Sequence, residues 1–258
     1  RVTCEWGEEL EILSEQIDRL NCAALKEGRP TPEPPFDNIH RVDERVQNLD
    51  VARSWSRQLS EAANDGEEFQ YRPSRNPNAK IRVGYLSADF HDHATAHLMR
   101  GVFQAHDRES FSIHAYSHGP NDDSDYRDSI RASCDQFVDI SAFNDEEAAN
   151  LIHRDSIDIL VDLKGHTRHN RLGICARRPA SIQATYLGFP GTSGAEFFDY
   201  ILTDKIVTPP ETLECLGEKA VFLPNTYQCN DNTQEKLTDI NNNYLYIYIP
   251  LQIRAHQH

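Results

Sequence analysis

The sequence contains no run of about 18 apolar residues, so no stretch of it predicts a transmembrane helix. It opens at Arg1 with neither an initiator methionine nor an apolar signal-type segment, which leads to the expectation of a piece of a longer polypeptide. Apolar residues reach only 38% of the 258 positions, so long polar segments are expected around a compact core. Basic residues are also few. The 26 lysines and arginines face 41 acidic residues, giving a formal net charge of -15. That balance argues against nonspecific nucleic-acid binding, which depends on cations neutralising phosphates. One local basic cluster, Arg168, Arg171, Arg177 and Arg178, reads as a solvated helix face. None of the six cysteines (Cys4, Cys22, Cys134, Cys175, Cys215 and Cys229) belongs to a CxxC pair. A structural zinc site and a disulfide framework are therefore not expected, and reduced thiols in a cytosolic protein are.

What is present divides into two patterns. Up to about residue 80 the chain is helical and polar. Leu10, Ile12, Leu13, Ile17 and Leu20 recur at helical spacing within a helix expected over 1–27. The run Gly28-Arg29-Pro30-Thr31-Pro32-Glu33-Pro34-Pro35 breaks it. A second helix is expected from Val46 to Ala63, then a linker from Arg72 to Lys80. From Ile81 onward strands and helices alternate. Strands are expected at Ile81–Leu86, Phe111–Tyr116, Phe137–Ile140, Ile157–Leu163, Ile182–Leu187, Tyr200–Ile206 and Val221–Leu223. Helices are expected at Ala94–Ala105, Tyr126–Ser133 and Asn144–Arg154, the last capped by Asn144 or Asp145. Such alternation implies right-handed crossovers and a mostly parallel, doubly wound α/β sheet. Functional residues are then expected just after strands.

Three segments meet that condition. The first, Ser87 to Met99, holds three histidines and two aspartates: Asp89, His91, Asp92, His93 and His97. On spacing alone, three readings stand side by side. In one, His93 is a general base supported by Asp89. In another, His91, His93 and His97 hold a metal, although Ala94 stands where the zincin helix has its catalytic Glu. In the third, these polar groups cap a helix and hydrate a loop. The second segment, Asp162 to Arg168, sets His166 and Arg168 at a strand end, where arginine suits phosphate or carboxylate; a capped turn is the plainer reading. The third, Leu187 to Gly194, carries three glycines that let a backbone approach a ligand. It is neither a P-loop nor a dinucleotide fingerprint, since GxxxxGK[ST] and GxGxxG are both absent.

Together these segments resemble one family. Arg82-Val83-Gly84-Tyr85, Ser87-Ala88-Asp89-Phe90, His93-Ala94-Thr95-Ala96-His97-Leu98-Met99, Ile159-Leu160-Val161-Asp162-Leu163, Arg178-Pro179-Ala180, Gly188 to Gly194 and Asp199-Tyr200-Ile201-Leu202-Thr203-Asp204 resemble the catalytic region of protein O-GlcNAc transferases, the bacterial and SPINDLY-like members more than the animal ones. The resemblance runs from about Cys4 to Asp231 and is weakest from Gly28 to Lys80. It implies a GT-B architecture, with two Rossmann-like domains facing a cleft behind tetratricopeptide helices. It also implies inverting, metal-independent transfer of GlcNAc from UDP-GlcNAc to Ser or Thr hydroxyls of cytoplasmic proteins, which in a eukaryote extends to the nucleus. SPINDLY-like relatives use GDP-fucose instead. No nucleic acid, membrane or bound cofactor enters this scheme. By motif, His93 matches the active-site histidine, Asp89 the acidic residue four positions before it, and Thr95 a sugar-contacting threonine. Leu187, Gly188 and Pro190 match the loop lining the sugar pocket.

The chain also departs from the family. No histidine aligns at Pro34-Pro35-Phe36-Asp37, where animal members carry one. His166 and Arg168, candidate substrate contacts, replace Tyr and Lys. The resemblance stops near Asp231, ahead of the second Rossmann-like domain whose lysine and helix terminus would bind the diphosphate. The expected organisation is a helical lead-in and linker over 1–78, a Rossmann-like amino-terminal catalytic domain over 79–231 and a divergent, poorly packed tail over 232–258. A non-catalytic fragment keeping only a binding surface is the alternative of a different class.

Overall fold

The computed structural model of the protein describes residues 7–63, 69 and 79–231. The expected tail, and nearly all of the expected linker, lie outside the described residues. Three helices lead in: α1 (Glu8–Lys26), α2 (Pro35–Arg41) and α3 (Arg45–Ala63). The proline-rich break is shorter than the sequence suggests, because α2 starts on Pro35 itself. Proline is favoured at a first helical position, where its missing N–H costs nothing. Arg41, on α2, ties the lead-in together. Its guanidinium reaches Glu33 at 2.7 Å, Asp18 at 2.7 Å and Ser14 Oγ at 2.8 Å.

The alternating region forms a sheet of seven strands: β1 (Ile81–Ser87), β2 (Phe111–Ser117), β3 (Gln136–Asp139), β4 (Ile159–Asp162), β5 (Ile182–Tyr186), β6 (Tyr200–Thr203) and β7 (Lys219–Phe222). All six pairings are parallel and the order is β3-β2-β1-β4-β5-β6-β7. The fold is therefore a Rossmann-like, parallel α/β sheet. Helices α4 (Ala94–Ala105), α5 (Asp125–Ser133), α6 (Asp145–Arg154) and α7 (Leu172–Ala176) fill the connections. One core cluster packs around Leu86, Tyr116, Ile152, Leu160 and Phe197, and another around Phe90, Met99, Phe103, Ile113 and Leu163. Apolar residues on both sheet faces explain why the strands read as nearly continuous apolar runs.

Asn144, rather than Asp145, caps α6. It accepts from Glu147 N at 2.9 Å while Glu147 accepts from Asn144 N at 2.8 Å, a capping box. β6 ends at Thr203, short of the expected Ile206, because Asp204 Oδ1 accepts from the amides of Ile206 and Val207 and turns the chain. The arginine cluster is not a solvated helix face. Arg171 donates to Asp145 and to the Ile140 and Phe143 carbonyls, Arg177 to the Ala63 carbonyl, and Arg178 to Asp199 and the Phe197 carbonyl. These side chains fasten loops to the sheet, and Arg168 alone of the four is exposed. α3 lies against the α/β core, where Ser56 Oγ donates to the Ser193 carbonyl at 2.8 Å.

Candidate active site

The sheet order reverses between β1 and β4. From β1 the chain moves outward to β2 and β3, then returns to lay β4 on the other side of β1. The carboxyl ends of those two strands flank the crevice where ligands of open α/β sheets gather. Asp89 follows β1, and Asp162, Lys164 and Gly165 close β4.

Lys164 crosses that crevice. Its Nζ lies 2.9 Å from Asp89 Oδ1 and 2.8 Å from Oδ2, and both side chains are buried, at 6% and 7% exposure. Thr95 Oγ1 donates to Asp89 Oδ2 at 3.2 Å, and the Asp89 amide donates to Ser87 Oγ at 3.0 Å. His93 stands over this pair as the amino-terminal cap of α4. Its Nδ1 accepts from the Thr95 amide at 3.1 Å and lies 3.6 Å from Asp89 Oδ2. A backbone N–H can only donate, so Nδ1 carries the lone pair and the neutral ring keeps its proton on Nε2. The general-base reading therefore meets an obstacle in this arrangement, since the basic nitrogen is already occupied. Burial pushes His93 below its ordinary pKa. Asp89 opposes this, while Lys164, His91 and His97 act with it. At neutral pH the ring is a neutral Nε2–H donor.

The other two histidines of the segment turn elsewhere. His97 Nε2 lies 2.6 Å from Asp92 Oδ1 and its ring stacks on Tyr126 at 4.1 Å. His91 Nδ1 lies 3.9 Å from Asp122 Oδ2. Among the described residues no group of three or more His, Cys, Asp or Glu side chains could hold a metal ion.

The loop after β5 packs against the same crevice. Leu187 has φ of 68°, and Gly188 N donates to the Tyr186 carbonyl at 2.8 Å, a tight γ-turn that is costly for a non-glycine residue. A Cβ on Gly188 would strike the Leu163 carbonyl, and one on Gly165, at φ 49°, would strike the Phe189 side chain. The two turns can approach only as glycines. Contact thus runs from Gly188 through Lys164 to Asp89, Thr95 and His93. Leu187, Phe189 and the exposed Pro190 also line a cleft of about 360 Å³, whose other wall includes Ile39, Arg45 and Asn48 of the lead-in.

His166 occupies the expected strand end but faces inward. Its Nε2 lies 2.8 Å from the Ser193 carbonyl and 3.3 Å from Ser56 Oγ. Burial pushes it down to about 4, so it is neutral and joins the lead-in to the sheet. Arg168 is exposed on the turn that follows. Two residues of this site were passed over in the sequence, Lys164 and Asp162. The available signal was a pair of charges inside the apolar run Ile159-Leu160-Val161-Asp162-Leu163-Lys164, because such residues are rarely buried without partners.

Asp162 is fully buried. Its Oδ2 accepts from the amides of Gly165 at 2.5 Å and Lys164 at 3.1 Å, while Oδ1 has no hydrogen-bond partner. Burial pushes its pKa up to about 7, against the pull of those amides and of Lys164. A folded-state value above the unfolded one means that the native state binds more protons between about pH 4 and the folded value. This group's contribution to stability therefore falls as pH rises through that window. Urea unfolding at pH 5 and at pH 7.5 is expected to show a larger stability loss in the wild type than in Asp162→Asn.

The model of the family described as glycosyl transferase family 41 matches residues 62–243. The chain is 35% identical over 211 residues to the probable UDP-N-acetylglucosamine–peptide N-acetylglucosaminyltransferase SEC of Arabidopsis thaliana, covering 78% of this chain and 21% of that protein. It is 38% identical over 163 residues to the UDP-N-acetylglucosamine–peptide N-acetylglucosaminyltransferase of Caenorhabditis elegans, covering 62% and 14%. Among solved structures, a point mutant of the Thermobaculum terrenum O-GlcNAc transferase superposes with a TM-score of 0.66 at 31% identity, covering 72% of this chain and 35% of that one. The chain spans about a fifth or less of the length of these curated relatives.

Proposed function

Because the chain belongs to glycosyl transferase family 41, we propose that it supplies the amino-terminal half of a catalytic centre that transfers GlcNAc from UDP-GlcNAc to Ser or Thr hydroxyls of proteins. The observation carrying this reading is the buried Asp89–Lys164 pair beneath His93 at the reversal of strand order, in a chain related to peptide N-acetylglucosaminyltransferases. In the reaction the acceptor oxygen bonds to the anomeric carbon, the bond from that carbon to UDP breaks with UDP leaving as the diphosphate anion, and the hydroxyl proton passes to water. Inversion follows from attack opposite the leaving group.

His93 faces substrate with Nε2–H and orients an oxygen of the acceptor or of the sugar. Taking up the hydroxyl proton at Nε2 would first require its own proton to move to Nδ1. Asp89 and Thr95 set the ring. Leu187, Gly188 and Pro190 form the wall against the sugar, and Arg168 is exposed at the next strand end to meet an anionic group. No metal is needed in this scheme. Tetratricopeptide helices ahead of α1 and a cytoplasmic setting belong to the same reading.

The test is transfer by the full-length protein that contains this chain, with UDP-GlcNAc and GDP-fucose offered separately to protein acceptors. GlcNAc on Ser or Thr supports the reading. Fucose on the same acceptors would replace this reading with protein O-fucose transfer. Failure to bind either nucleotide sugar would leave a non-catalytic binding protein.

A further inference from the structure

Three groups surround Asp89 Oδ2: Lys164 Nζ at 2.8 Å, Thr95 Oγ1 at 3.2 Å and His93 Nδ1 at 3.6 Å. An ionised carboxylate this close to an imidazole ordinarily draws an Nδ1 proton towards itself and stabilises the imidazolium. Here the ring does the reverse, because Nδ1 accepts from the Thr95 amide. The difference lies in what Asp89 already holds. Both of its oxygens sit on the Lys164 ammonium, and the pair is shielded from water.

We propose that Lys164 is a positioning residue of this site: by occupying both oxygens of Asp89 it keeps that carboxylate from claiming a proton on Nδ1, so that His93 carries its proton on Nε2. The charged and titratable groups around the ring are consistent with this. Asp89 and Lys164 lie beneath it, and His91 and His97 flank it. The carboxylates nearest those flanking rings are already engaged, Asp122 by the Asp92 amide and Asp92 by His97. Lys164 is thus the group that stands between His93 and an uncompensated negative charge. The assignment rests on the reading of His93 as the side chain that meets substrate, although its test needs no substrate.

The test is a nitrogen-15 NMR titration of the histidine rings in the full chain, with His93 assigned by its loss in His93→Gln. In the wild type, Nδ1 is expected to be unprotonated and Nε2 protonated at neutral pH. In Lys164→Met the proton is expected on Nδ1, or on both nitrogens, with the His93 midpoint raised by roughly one pH unit. Lys164→Met combined with Asp89→Asn removes both charges and should restore the Nε2–H ring. If Lys164→Met does not fold, Lys164→Leu likewise removes the ammonium and leaves Asp89 without that donor, and gives the same readout. A folded Lys164 variant whose His93 keeps the wild-type tautomer and midpoint overturns the proposal. A ring that switches as expected, in a full-length protein that transfers no sugar, sinks the functional reading and leaves this one standing.

Discussion

Under the proposed function, replacing His93 with Ala in the full-length protein that contains this chain is expected to lower turnover by roughly 10²-fold, the usual scale for losing one donor aimed at a reacting group. The fold should survive. The side chain is half-buried and its one hydrogen bond among the described residues is the cap to the Thr95 amide, so about 1 kcal/mol of stability is at stake. A second substitution separates the two ways in which histidine can act. Glutamine places an N–H near the position of Nε2 but cannot accept a proton at neutral pH. If His93 works as the structure presents it, His93→Gln should retain on the order of ten times the activity of His93→Ala. Equal loss in the two variants would restore the general-base role, with the tautomer inverted during turnover. Steady-state kcat and KM at several pH values, alongside circular dichroism, decide the matter.

The largest loss of stability is expected at Arg127, which lies outside the Asp89–Lys164–His93 cluster. Its side chain is 1% exposed, and its Nη1 donates to the Phe90 carbonyl at 3.1 Å, Ser117 Oγ at 3.0 Å and the Pro120 carbonyl at 3.4 Å. Nη2 meets Asp139 at 3.0 Å, and the guanidinium lies over the Phe137 ring at 4.9 Å. Asp139 is 45% exposed, so solvent screens the ion pair and its loss matters little. The carbonyls matter more, since they would keep no comparable partner in the interior. Arg127→Met retains the apolar stem but strands those groups, at a cost of about 3 kcal/mol. In a domain of this size that corresponds to a drop in Tm of roughly 6–12 °C. Because Phe90 adjoins Asp89, a loosened loop should also weaken the nucleotide-sugar binding proposed above. A melting temperature within about 2 °C of wild type would show that water replaces the guanidinium without penalty.

Much of this architecture was legible in the residues. The apolar runs at Ile81, Phe111 and Ile159 each became strands because a sheet covered on both faces selects such runs. A cap at Asn144 or Asp145 was legible, and Asn144 won because its carbonyl oxygen reaches the amide of Glu147. Less was legible where a local signal pointed two ways. Prolines 30 to 35 read as a break, yet the last of them begins a helix. Arg171, Arg177 and Arg178 read as solvated, yet each is drawn onto backbone carbonyls that no pattern in the sequence identifies. His166 stood where a ligand contact was expected, and α3, packing from outside the alternating region, turned it into a buried link through Ser56.

The sequence by itself determined the parallel sheet, the family and the placing of Asp89, His93 and Thr95 at a strand end, because these depend on periodicity and on residues within one turn of each other. Tertiary structure alone decided which groups those residues meet. Asp89 and Lys164 are 75 positions apart, and they meet because the chain doubles back across β1 to lay down β4. The proton on His93 is set by that meeting and by the direction of one backbone N–H. Electrostatics between buried groups depends on distance in space and on exclusion of water, and neither is written in the spacing of residues along the chain.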